Sequence, residues 1–401
     1  MACRCTDHLC QLYAALMIYL DNSATTPLCT AAREGMLGAM ECFGNPSSLH
    51  VAGGQAAKLL QQSRATLGEA LGERYLKDAQ LIFTGSGTEA TALALLGTAR
   101  AKARRTASTI LTTDSEHPSV LQNLAILEKE GFRVVKVSTR GGALDMNEVL
   151  ANCNKDLFAV SMMLVNNETG AIYPVAEVFR AAKTANPDCI CHCDAVQGFL
   201  KVPMTVKSLG ADLITVSAHK IHGPKGVGAL YVSQRLLERR ALVPVYGGGG
   251  QEFGFRSGTE NMVGIAGFAA ACVEANANKA AFAAHTGTLS AKLITALQGS
   301  EIKCNLPLKR APHIVSITMP DIKSETMLHF LDSKGIAVSA GSACSSHAKA
   351  PSGTLLAFGL EAAAADCTLR VSFSRENTEN DVDALVAALS EGVAKLVRIH
   401  H

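Results

Sequence analysis

Short apolar runs recur along the chain at 81–83, 109–112, 133–137, 158–164, 190–193, 213–216 and 229–232. Between them lie longer stretches with helical spacing of apolar residues, at 89–104, 120–130 and 175–185. Apolar runs without polar alternation read as strands covered on both faces, and their alternation with helices predicts an α/β layout with a mostly parallel sheet. From 261 to 298 the composition shifts to alanine-rich sequence, the best helix-forming residue, which predicts one or two long helices. Strand-like runs at 313–318 and 369–374 and an amphipathic helix at 379–399 then build a smaller C-terminal α/β domain. The expected division is an extension at 1–17 that is disordered, a large domain with its N-terminal segment at 18–265, and the small domain at 266–401.

Composition narrows the class. A length of 401 residues with 48% hydrophobic content suits one to two domains with a sizeable core. A net charge of +2, mixed along the chain, leaves no electrostatic footprint for nucleic acid or a membrane surface. No apolar run approaches the roughly 20 residues needed to span a bilayer. The strongest candidate, 9–20, is interrupted by Gln11 and runs into Asp21, so its second half reads as a first strand and a secretory signal is not expected. Arg4 alone is a poor basis for a mitochondrial transit peptide, and a cytosolic address is expected.

Thirteen cysteines in such a chain point to reduced thiols rather than a disulfide framework. Cys3, Cys5 and Cys10 match no zinc spacing and read as part of a terminal tail. In Cys189-Ile190-Cys191-His192-Cys193, strand alternation puts Cys191 and Cys193 on one face and His192 on the other, which favours core over a metal site.

Chemistry concentrates after two of the strands. Lys220 stands in Ser217-Ala218-His219-Lys220-Ile221-His222-Gly223-Pro224-Lys225-Gly226, between an apolar strand and a glycine-rich turn. A lysine on the end of a rigid strand, with glycines that let the backbone bend round a ring, can hold an aldehyde cofactor as an imine, and pyridoxal 5′-phosphate is the obvious candidate. Asp194, 26 residues earlier, supplies the carboxylate such a cofactor needs against its pyridine nitrogen. Gly85-Ser86-Gly87-Thr88 joins a strand to a helix and offers backbone N–H groups, a hydroxyl and a positive helix end to a phosphate.

With these three features in order, the chain resembles a PLP-dependent cysteine desulfurase of the NifS/IscS type, within the class V aminotransferases. The resemblance runs from Tyr19-Leu20-Asp21-Asn22-Ser23-Ala24 through Gly44-Asn45-Pro46, Ser115-Glu116-His117 and Asn166-Asn167-Glu168-Thr169-Gly170. It continues through Gly249-Gly250-Gln251-Glu252, Arg256-Ser257-Gly258-Thr259-Glu260-Asn261, Gly341-Ser342-Ala343-Cys344-Ser345-Ser346 and Leu369-Arg370-Val371-Ser372. It implies the aspartate aminotransferase-like fold, fold type I of the PLP-dependent transferases, with the N-terminal segment packed beside the small domain.

The resemblance also implies roles. Lys220 would bind the cofactor aldehyde and move the substrate's Cα proton, Asp194 would pair with the ring nitrogen, and His117 would stack on the ring and assist proton transfer. Asn167 and Gln197 would bond the cofactor near its phenolic oxygen. Gly87, Thr88, Ser217 and His219 map onto the phosphate cup, and Thr259 onto a position that reaches the phosphate of a neighbouring subunit, so a homodimer is implied. Arg370 would clamp the substrate carboxylate, as a planar guanidinium can. Cys344, in a run of small residues that argues for a mobile loop, would take sulfur from L-cysteine as a persulfide and pass it to an acceptor such as an iron–sulfur scaffold, leaving alanine. Selenocysteine lyase is the nearest alternative, with Gly-Ser-Ala-Cys-Ser-Ser closer to the desulfurase loop. An aminotransferase would not need Cys344, and a sulfur-relay scaffold would be colourless.

Overall fold

The computed structural model describes residues 17–101, 107–341 and 351–399. Twelve strands are β1 (Ile18–Tyr19), β2 (Leu81–Thr84), β3 (Thr109–Thr113), β4 (Arg133–Val137), β5 (Leu157–Met163), β6 (Ile190–Asp194), β7 (Leu213–Ser217), β8 (Gly228–Val232), β9 (Lys303–Asn305), β10 (Ile314–Thr318), β11 (Ile336–Ala337) and β12 (Thr368–Ser372). Seven form one sheet in the order β2-β8-β7-β6-β5-β3-β4. Its central pairs are parallel, and only β8 runs against its neighbours β2 and β7. Every residue of β2, β3, β5, β6, β7 and β8 is buried, as expected for strands covered on both faces, whereas edge strand β4 exposes Arg133 and Lys136.

Helices α1 (Thr30–Glu41), α2 (Val51–Ala70), α3 (Gly87–Arg100), α4 (Pro118–Lys129) and α5 (Val175–Ala185) precede the alanine-rich stretch, which forms a single 35-residue helix, α6 (Met262–Ala296). At about 1.5 Å per residue it spans about 50 Å. Near its start Ile265, Phe268 and Cys272 enter the core under the large sheet, and near its end Leu289 and Leu293 enter a second core. That second core gathers β10 and β12 residues, the last helix, α7 (Glu379–Lys395), and Leu20. Antiparallel β9, β10 and β12 make its sheet, while β1 pairs in parallel with β11. The N-terminal segment therefore packs beside the C-terminal part.

Helices α1 and α2 have no counterpart in the sequence pattern. Gly53, Gly54 and Gly68 dilute the helical signal of α2, yet a Cβ at Gly53 would lie 2.2 Å from the Ser48 carbonyl oxygen. The glycine is there for backbone approach, a reason no periodicity reveals. Among the described residues no helix is long and apolar enough to cross a membrane.

Candidate active site

The carboxyl ends of β2, β3, β5, β6 and β7 all reach one edge of the large sheet, where open α/β sheets place their ligand crevices. A cavity of about 180 Å³ opens there. Each strand delivers a residue to it. Asp194 ends β6, Asn167 follows β5, and Lys220 closes a single 3₁₀ turn (Ala218–Lys220) after β7. His117 follows β3 as the N-cap of α4, and its Nδ1 accepts the Ser119 N–H at 3.1 Å. Gly87 and Thr88 open α3, where Ser86 caps the helix by accepting the Glu89 N–H at 3.1 Å. Gln197, Ser217, His219 and Arg370 complete the lining.

The lining fits a phosphorylated pyridine. A Cβ on Gly87 would lie 3.1 Å from Val196 Cγ2 and 3.3 Å from Ser217 Cβ, so the absent side chain leaves the first turn of α3 open to an anion. N–H groups of that turn lack acceptors within the helix. Asp194 is buried, with the Val196 N–H on its Oδ1 at 3.0 Å. Burial pushes its carboxyl above the usual range, against the pull of His117, that N–H and Lys220. A cationic ring nitrogen is the partner that such a carboxylate lacks.

Charge around the lysine is positive. Lys220 Nζ donates to the Ser23 and Ala24 carbonyls at 2.6 and 2.8 Å. Burial, then the charges of Lys220, Lys201 and Lys225, push His219 down to about 3. Burial also lowers His117, with Asp194 opposing and Lys220 adding to it. Both imidazoles are therefore neutral at physiological pH, able to donate and accept without a net charge. Arg370, on β12, is 2% exposed and reaches across from the second core. It donates to Asp21 Oδ1 at 2.7 Å and to the Asn167 carbonyl at 3.0 Å, and its buried Nε has no partner among the described residues. A carboxylate entering the cleft meets a guanidinium already fixed in place.

One expected site residue lies apart, and another is not among the described residues. Thr259 lines a separate surface hollow with Phe43, Gly44 and Pro46, and Phe43 is 86% exposed. Cys344, like Cys3, Cys5 and Cys10, lies outside the described residues. The flanks of the Cys344 segment are nevertheless placed: Ser352 donates to Glu168 Oε2 at 2.6 Å, and a Cβ at Gly341 would lie 3.4 Å from the same oxygen. Glu168 follows Asn167, which lines the cleft, so both flanks meet the residue next to the cleft wall.

The strand 190–193 behaves as alternation predicts. Cys191 and Cys193 enter the core, while His192 bonds Ser161 Oγ at 2.9 Å and Thr215 Oγ1 at 3.0 Å on the other face. Sequence reading missed the Ser23 and Ala24 carbonyls, because backbone acceptors leave no trace in residue type. It also missed Glu116, whose buried carboxyl is pushed up to about 8 chiefly by burial, and Lys201, a lysine in an otherwise apolar turn.

The class-V aminotransferase family model matches residues 18–385. A cysteine desulfurase of Enterobacter agglomerans is 36% identical over 390 residues, covering 94% of this chain and 93% of its own. Cysteine desulfurase NifS of Azotobacter vinelandii is 36% identical over 388 residues, covering 94% and 93%. Among solved structures, a NifS-like protein superposes with a TM-score of 0.87 at 33% identity, covering 95% of this chain and 100% of that one. SspA in complex with cysteine superposes with a TM-score of 0.77 at 27% identity, covering 90% and 100%.

Proposed function

The chain belongs to the class-V aminotransferase family, and from that membership and the cleft we propose that it is a pyridoxal-phosphate-dependent cysteine desulfurase. The observation that carries the reading is the convergence of Asp194, Lys220, His117, Arg370 and the first turn of α3 on one cleft, with both described flanks of the Cys344 segment on Glu168, next to the cleft residue Asn167. Pyridoxal phosphate, when bound, supplies an electron sink that weakens the bonds at the substrate's α-carbon. Gly87, Thr88, Ser217 and His219 would hold its phosphate, Asp194 its ring nitrogen, and Asn167 and Gln197 its ring oxygen.

Arg370 orients the substrate carboxylate, which leaves the amino group toward Lys220. Lys220 Nζ holds and moves the α-proton, and neutral His117 would face the cofactor and take part in proton transfer. Cys344 Sγ, as thiolate, attacks the substrate sulfur. The new S–S bond forms as the C–S bond breaks, and the bonding pair stays with the three-carbon fragment, which takes up protons to become alanine. The balance is L-cysteine plus the Cys344 thiol giving L-alanine plus the Cys344 persulfide. An acceptor thiol, such as that of an iron–sulfur scaffold, then removes the outer sulfur. A solved relative, SspA, holds cysteine, which supports this substrate. The unpaired thiols among the described residues suit the reducing cytosol.

Holoprotein given L-cysteine without reductant is expected to release one alanine per protein-bound sulfane sulfur, and catalytic alanine once dithiothreitol is added. Alanine from L-selenocysteine alone would make it a lyase for selenium.

The working unit is a homodimer. Leu37, Met40, Phe43 and Leu49 are exposed apolar residues on and after α1, and the hollow beside Phe43 holds Thr259. Thr259 there would reach the phosphate held by the second copy. Sedimentation is expected to give twice the 42.0 kDa chain mass, and Phe43→Asp to shift it toward one chain with loss of cofactor. A wild-type monomer that retains its cofactor would refute this assembly.

A further inference from the structure

Lysine is almost never buried unless paired, and Lys201 is 7% exposed. It follows Leu200, whose φ of 59° lies in the left-handed region and turns the chain so that the next side chain points inward. The charged or titratable groups that act on it or feel it are Lys220 and Arg370, with His219, His222 and His313. None of these is a carboxylate; Glu274 lines the same cavity as Lys201 but is paired with Arg375. Burial first, then Lys220 and Arg370, push Lys201 down to about 7.

Its Nζ donates to Gln197 Oε1 at 3.2 Å. At the other end of that amide, Nε2 donates to the Ser23 carbonyl at 2.9 Å, and the same carbonyl accepts Lys220 Nζ at 2.6 Å. Lys201, Gln197, Ser23 and Lys220 thus form one connected chain. The two ends of a glutamine amide have nearly the same shape, and only hydrogen bonding decides which way each faces. Ser23 offers an acceptor on one side, and Lys201 offers a donor on the other.

We propose that Lys201 is a positioning residue of the cleft: by donating to Gln197 Oε1 it keeps the amide NH₂ turned toward the ring oxygen of the bound cofactor. The proposal rests on the cofactor reading above and adds a residue that touches neither cofactor nor substrate. Lys201 needs no positive charge for this task, because a neutral amine still donates. That reconciles its burial with the lack of an ion-pair partner among the described residues.

A donor aimed at the ring oxygen stabilises the oxygen's anion and competes for the proton it shares with the neighbouring nitrogen. Losing that donor raises the pH at which the cofactor's visible band changes. The test is a spectrophotometric pH titration of holoprotein, with no turnover involved. Lys201→Met, apolar and easily accommodated in a buried site, is expected to raise the midpoint by about one pH unit. Lys201→Gln, of similar size and likewise uncharged but with an N–H donor, is expected to return it near the wild-type value. Lys201→Met added to Gln197→Leu is expected to shift the midpoint little beyond Gln197→Leu alone, because both act through one hydrogen bond. A wild-type midpoint in Lys201→Met, equal shifts in the Met and Gln variants, or additive shifts in the double variant would each overturn the proposal. A wild-type protein with no visible band would overturn it together with the cofactor reading.

Discussion

Lys220→Ala is expected to lower alanine production from L-cysteine by at least about 10³-fold while the protein still binds pyridoxal phosphate. The size follows from two roles lost together, since positioned proton transfer alone contributes about 10²–10⁴-fold and the covalent hold on the cofactor is lost as well. Retention of the cofactor follows from the separation of the parts. Gly87, Thr88 and Ser217 sit at the helix end and Asp194 at the end of β6, and none of them depends on Nζ for its position. Nζ donates to the Ser23 and Ala24 carbonyls, which can turn to water when it is removed. Lys220→Arg is expected to fail as well, because a guanidinium keeps its charge and cannot bond to an aldehyde. Borohydride reduction should fix the cofactor to the wild-type protein and to neither variant. Turnover in Lys220→Ala above a tenth of wild type would remove this lysine from the mechanism.

What the sequence disclosed depended on how local each cause is. Strands buried on both faces carry their burial in their own residues, so Ile190–Asp194 and Leu213–Ser217 were legible at once. Their order in the sheet, with β8 reversed, was not, because pairing is decided by what each strand packs on. Asp194, Lys220 and Gly87 were visible because each stands at a strand end where composition changes abruptly. The task of Lys201 was hidden for the opposite reason. Its meaning lies in the lack of an ion-pair partner among the described residues and in one bond to Gln197, and both are facts about neighbours. Glu116 is similar: its fully buried carboxyl takes N–H and O–H donors from Met163 and Thr113 on one oxygen, and its raised proton affinity is set chiefly by burial that no motif announces.

Cys344→Ala is expected to cut alanine production from L-cysteine below about a hundredth of wild type, with cofactor content and the spectral response to L-cysteine intact. Loss of a nucleophile that acts after binding appears in kcat, whereas a substrate-binding residue would appear in KM. Both described flanks of the segment that carries this thiol meet Glu168. Gly341 and Ser352 both lie against Glu168, whose carboxyl is raised by burial while Ser352, Arg370 and Thr354 oppose the shift. Cys344 is three residues beyond Gly341, and three residues of chain span at most about 10 Å. In the proposed mechanism Arg370 fixes the carboxylate end of the substrate, so the sulfur end is left for a group that arrives from the loop side. Alanine formation that survives in Cys344→Ala would mean that the thiol does not take the sulfur. The cleft would then be an aminotransferase or a lyase site in which Lys220, Asp194 and Arg370 keep their places and the loop has another use.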